Sequence, residues 1–114
     1  MTDHSKIERL IQRILAGALP EQLDIESMQL DLNDLGLHGR TPLMVSAAEG
    51  LLATAEILVR SGASVHVTGH YRTTALHEAA ANGQTVIANF LLSAGADVNA
   101  ETAQGVTPLM CAAA

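Results

Sequence analysis

Apolar residues recur along this chain in short bursts, each closed by a glycine. The first burst, Ile7, Leu10, Ile11, Ile14 and Leu15, falls at i, i+3, i+4, i+7 and i+8, with Lys6, Arg9 and Arg13 on the other side. That spacing predicts an amphipathic helix. Ser5-Lys6-Ile7-Glu8 forms a capping box at its start, Gly17 supplies its stop, and Pro20 starts a second helix ending near Met28. Further on, Thr41, Thr74 and Thr107 each precede a short apolar run and predict N-caps, with Pro42 and Pro108 at the first helical position, where no N–H is missed. These helices stop at Gly50 and Gly83. Second helices follow over Leu52–Arg60 and Thr85–Ser93, turn Ile57, Leu58, Phe90, Leu91 and Leu92 inward, and end at Gly62 and Gly95. Helices this short are not stable alone, so stacking on neighbours must hold them.

The bursts are copies of one unit. Gly-Arg-Thr-Pro-Leu-Met at 39–44, Arg-Thr-Thr-Ala-Leu-His at 72–77 and Gly-Val-Thr-Pro-Leu-Met at 105–110 place Thr41, Thr74 and Thr107 at intervals of 33 residues. Ser-Gly-Ala-Ser-Val-His at 61–66 repeats at the same interval as Ala-Gly-Ala-Asp-Val-Asn at 94–99. The register runs backward without a gap, with Gly17 under Gly50, Leu10 under Leu43, and 29–33 under 95–99. A solenoid is expected. Its units are a degenerate N-terminal capping repeat at 1–33, full repeats at 34–66 and 67–99, and a truncated last repeat, first helix only, at 100–114. The opening helix, wet on one side and apolar on the other, suits a terminal cap. At the other end Leu109, Met110, Cys111 and Ala112 form an open apolar face. Two explanations stand for it: a longer array from which this chain is a piece, or self-association through that end.

Composition narrows the function. The chain has 114 residues, 48% of them apolar and 2% aromatic, Tyr71 and Phe90, so its core must be built from Ala, Leu, Ile and Val. A net charge of −6 repels phosphate backbones and argues against nucleic acid. Asp, Glu, Arg or Gly interrupts every apolar run, so no membrane span is expected. One cysteine, Cys111, and the lack of a signal-peptide pattern point to a reducing, cytoplasmic location. Phosphate-cradling glycine loops, His-Glu-x-x-His and Cys-x-x-Cys are missing, which leaves no catalytic residue, metal or cofactor to expect.

Together these residues resemble the ankyrin-repeat family, in the 33-residue period, Thr-Pro-Leu, the Gly nine residues after Thr41 and Thr74, and Gly-Ala-Asp-Val-Asn. The resemblance implies an all-α stack of helical hairpins with projecting finger loops. It also implies a protein partner bound on the concave face formed by fingertips and first helices. Carried over by position, the fingertip sites are Leu37, His38 and Arg40, then His70, Tyr71 and Thr73, then Ala103, Gln104 and Val106. The first-helix sites are Ala48, Glu49, Ala81, Asn82 and Ala114. The chain departs from the family where an Asp usually precedes the Thr by five residues; Gly36, Gly69 and Thr102 stand there, and looser finger turns are expected. The family's His after Leu survives as His77, a hydrogen-bonding tie at a helix start. His66, in the place of Asn33 and Asn99, is expected to bond loop backbone.

Gly69-His70-Tyr71-Arg72 stands apart. It sets imidazole, phenol and guanidinium on one turn of a chain nearly without aromatics, and Tyr and Arg are common binding anchors; the plainer alternative is a solvated turn with Tyr71 lying on its neighbours. Cys111, Met44 and Met110 read as core fillers. The sequence therefore describes a protein-binding scaffold without catalysis, with a structural or regulatory spacer segment of a larger ankyrin-containing enzyme or effector as the alternative.

Overall fold

Each first helix of the stack begins where a threonine hydroxyl meets free amides. In the computed structural model, which describes residues 4–18, 30–36 and 38–113, Thr41 Oγ1 accepts the Met44 N–H at 3.2 Å. Thr74 Oγ1 accepts that of His77 at 3.3 Å, and Thr107 Oγ1 that of Met110 at 3.3 Å. A cap of this kind stabilises a helix by about 1 kcal/mol. Six α-helices result among the described residues: α1 His4–Leu15, α2 Pro42–Glu49, α3 Leu52–Arg60, α4 Ala75–Ala81, α5 Thr85–Ser93 and α6 Pro108–Ala113. No strand occurs among them. Gly50 and Gly83, with φ of 77° and 69°, turn the chain just beyond α2 and α4.

First helices stack on one another, α1 on α2, α2 on α4 and α4 on α6, while α3 and α5 pair with α2 and α4 within their own hairpins. One core runs the length of this stack. It joins Ile7, Leu10, Ile11 and Ile14 of α1 to Leu43 and Met44, to Leu58, Leu76, Ile87 and Leu91, and to Ala47, Ala55 and Ala79, all buried. Alanine at the crossings lets helix backbones approach, and each buried Leu or Ile contributes about 1.5–3 kcal/mol. The architecture is the all-α repeat solenoid that the 33-residue register implies.

Several side chains do not go where helical period alone places them. Leu15 and Leu92 are exposed, at 46% and 40%. Met110 is likewise exposed and is no core filler, whereas Met44 is buried. Cys111 is half-buried. Ser5 lies inside α1, which already runs at His4, so it does not stand at the cap position. The expected helix from Pro20 to Met28, and the sites at Leu37 and Ala114, lie outside the described residues.

Candidate protein-binding surface

The finger loops are closed by one repeated bond. Gly36 N–H donates to Arg40 O at 2.8 Å, Gly69 N–H to Thr73 O at 2.8 Å, and Thr102 N–H to Val106 O at 2.9 Å. The backbone makes this closure in all three fingers, with Gly or Thr at the position where the family has Asp. Adjacent fingers are also tied, His70 N–H to Gly39 O at 3.2 Å and Ala103 N–H to Tyr71 O at 2.7 Å.

The middle finger differs from its neighbours. Gly39 and Gly105 occupy the left-handed region at φ of 69° and 77°, and in that register the middle finger has Arg72, held at φ 61°. Tyr71 precedes it at φ 58°. Left-handed backbone costs a residue with a Cβ about 1–2 kcal/mol, so two such residues in succession store strain at this tip. The twist presents Tyr71 outward, 71% exposed. Its ring meets that of His70 edge-on, with centroids 6.2 Å apart and planes at 84°. The His70 ring in turn lies over Gly39 of the preceding finger, in the space a Cβ there would need.

The remaining expected sites divide into free and engaged ones. His38, Ala103 and Gln104 are exposed on the fingers; Glu49 closes α2 and Asn82 follows α4, both exposed. Asn82 Nδ2 donates to the Glu78 carbonyl at 2.8 Å, and Gln104 N–H to Thr102 Oγ1 at 3.3 Å. Thr73 is half-buried. Arg40 is engaged: its guanidinium pairs with Glu78 of α4 at 3.1 Å, and its Nε is buried with no partner among the described residues. The fingers bring His38, His70, Tyr71, Ala103 and Gln104 into successive loops of one edge, while Glu49 and Asn82 mark the ends of the adjoining helices.

Two features escaped sequence reasoning. Arg72 was read as part of the exposed turn, but its left-handed backbone, in the register of Gly39 and Gly105, was not. Glu78 occupies the register of Val45 and Cys111, and a charge in an otherwise apolar row was its signal.

The titratable groups are arranged for structure. His77 is buried and bonded at both ring nitrogens, as the resemblance implied: Nδ1 to Thr74 and Nε2 to the Val106 carbonyl at 2.8 Å. Burial, and after it the negative charge of Glu78, push the Cys111 thiol up. His66 is corrected. Asn33 Oδ1 does accept the Ser64 N–H at 2.8 Å, whereas the exposed His66 ring makes no such bond among the described residues. It borders instead an open groove of about 360 Å³ with Arg72, Asp97, Asn99 and Glu101. Among the described residues no three His, Cys, Asp or Glu side chains form a group able to hold a metal ion. No helix among them is long and apolar enough to cross a membrane.

Comparison with known proteins agrees with this geometry. A family model described as ankyrin repeat matches residues 38–70, and one described as ankyrin repeats in three copies matches residues 67–114. Inversin from Mus musculus is 38% identical over 93 residues, which cover 82% of this chain and 9% of that protein. Inversin from Danio rerio is 44% identical over 59 residues, covering 52% and 6%. Rabankyrin-5 from Mus musculus is 35% identical over 75 residues, covering 65% and 6%. The chain spans about a tenth or less of the length of these relatives.

Proposed function

We propose that this chain, which belongs to the ankyrin-repeat family, is a non-catalytic module that binds a protein partner through its fingertips and the exposed ends of its first helices. Ankyrin repeats are generally protein–protein interaction modules, and the relatives are ankyrin proteins. The observation that carries the reading to particular residues is the middle finger. Tyr71 and Arg72 hold left-handed backbone there, and the one tyrosine of the chain is turned to solvent instead of into the core. Strain retained at an exposed aromatic tip supports a contact made outside the chain. Tyr71 and His70 are its anchors, with His38, Ala103 and Gln104 beside them and Glu49 and Asn82 on the helices.

The test is titration of the natural partner into the wild-type chain and into the double variant His70→Ala, Tyr71→Ala. Loss of a tyrosine anchor weakens binding by about 2 kcal/mol or more, while the melting temperature stays nearly unchanged because the tip buries little. Unchanged affinity defeats this assignment. So does a large fall in melting temperature, which would make the pair scaffold.

A second reading rests on the small share of its relatives that the chain spans. In it the repeats act as a spacer or regulatory segment of a larger protein, and the fingertip variants leave every interaction intact.

A further inference from the structure

Of the four asparagines, Asn33, Asn82, Asn89 and Asn99, Asn82 alone precedes a glycine. The side-chain amide of asparagine is open to attack by the backbone nitrogen that follows it, and a glycine there leaves that nitrogen unscreened by any Cβ. Asn82 and Gly83 are both exposed. A Cβ built at Gly83 would meet nothing within 4 Å among the described residues, so the junction has room for the amide to swing and for water to follow. The other three are placed differently: Asn33 is tied through Oδ1 to the Ser64 N–H, Asn89 lies within α5, and Asn99 precedes Ala100.

Folding holds the reacting atoms apart. Ring closure needs Asn82 Cβ and the Gly83 nitrogen eclipsed about the Cα–C bond, whereas a ψ of 9° eclipses that nitrogen with Asn82's own and sets Cβ well off the plane. Asn82 Nδ2 donates to the Glu78 carbonyl at 2.8 Å, and the Gly83 N–H donates to the Ala80 carbonyl at 3.3 Å. Both bonds close the last turn of α4, a helix of 7 residues, and the first of them is exposed to solvent. A helix end of this kind opens at far less cost than a core.

We propose that Asn82 is a site of spontaneous deamidation, gated by opening of the last turn of α4. Once the turn opens, the Gly83 nitrogen attacks Asn82 Cγ. The new N–Cγ bond closes a succinimide ring, the Cγ–Nδ2 bond breaks, and Nδ2 leaves as ammonia with the proton given up by the Gly83 nitrogen. Water then opens the ring at either carbonyl, leaving aspartate or isoaspartate, and nothing is oxidised or reduced. The product carboxylate has no N–H to donate to Glu78 O, and it adds one negative charge to a chain of net charge −6. The chemistry needs no partner, so it stands or falls apart from the binding assignment above.

The test is to age the native chain at mildly alkaline pH, digest samples over time, and follow each asparagine by peptide mass spectrometry, with an isoaspartyl methyltransferase to detect isoaspartate. Asn82 should convert before Asn33, Asn89 and Asn99, and isoaspartate should form at that position. In urea, with the turn melted, conversion should run about tenfold faster or more than in the folded chain. Gly83→Ala should slow it by about tenfold or more when both chains are aged in urea, where the effect of the variant on folding plays no part. Conversion of another asparagine first overturns the proposal, as does an Asn82 that stays intact in the folded chain while it converts in urea. Equal rates folded and unfolded would remove the gate, and a rate in urea indifferent to Gly83→Ala would remove the attack by the Gly83 nitrogen; either result overturns it.

Discussion

His77 donates its Nε2–H to the carbonyl of Val106 at 2.8 Å, joining the start of α4 to the finger of the following unit. The other ring nitrogen, Nδ1, accepts the Thr74 N–H at 3.2 Å, which fixes the proton on Nε2. One imidazole thus completes a helix cap and a contact between repeats.

Replacing His77 by Met, the residue found at 44 and 110, keeps the volume and removes both bonds. The Thr74 N–H then lies buried without its acceptor, while Val106 O retains the Thr102 N–H. An unsatisfied buried group costs about 1–3 kcal/mol. Urea unfolding of His77→Met should show a loss in that range, and a variant as stable as the parent would show that the tie contributes nothing.

Gly39 and Gly83 share a φ of 69° but not their surroundings: open space lies where a Cβ would go at Gly83, and the His70 ring lies there at Gly39. Gly83→Ala should cost only the backbone term, about 1 kcal/mol, and Gly83→Val at least as much. Gly39→Ala should cost more and shift the His70 ring resonances. Equal stability of the two alanine variants would mean that His70 moves aside freely.

Arg72→Gly offers the opposite sign. Relief of left-handed strain should raise stability by up to about 1 kcal/mol, while partner affinity falls because a cation leaves the tip and the finger loosens. A variant that gains stability and keeps full affinity would separate the strain from function.

The Cys111 thiol is pushed up first by burial and second by Glu78, so it is less ionised at any given pH than a free thiol. Glu78→Gln removes the smaller cause. The midpoint of alkylation rate against pH should then move down, yet stay above that of the unfolded chain. A midpoint that does not move would show that Glu78 exerts no field on the sulfur.

The helices were legible because their ends carry their own punctuation: Thr before and Gly after fix α2, and Leu52–Arg60 and Thr85–Ser93 lie between successive glycines. The exposure of Leu15, Leu92 and Met110 was not legible, since a helical period gives a face and not what covers it. The fingers were only half legible. Their sequence lacks the expected Asp, and the shared closing bond is between backbone groups, which leave no side-chain mark; only in the last finger does a side chain join in, Thr102 Oγ1 accepting the Gln104 and Val106 N–H groups. The Arg40–Glu78 pair spans 38 residues and breaks the repeat at both ends, Thr73 and Val106 replacing the one, Val45 and Cys111 the other, so repetition could not announce it.

With no tryptophan and one tyrosine, the chain's dominant near-ultraviolet absorption and its emission arise from the tip of a finger, and only the weak bands of Phe90 come from beside the core. Light therefore reports on this molecule in an unusual way. Melting of the helices should pass almost unseen in tyrosine fluorescence, since the ring is wet before and after, whereas a partner closing over Tyr71 should change that signal directly. The natural chain carries its own optical gauge of occupancy, placed at the contact and nearly blind to folding.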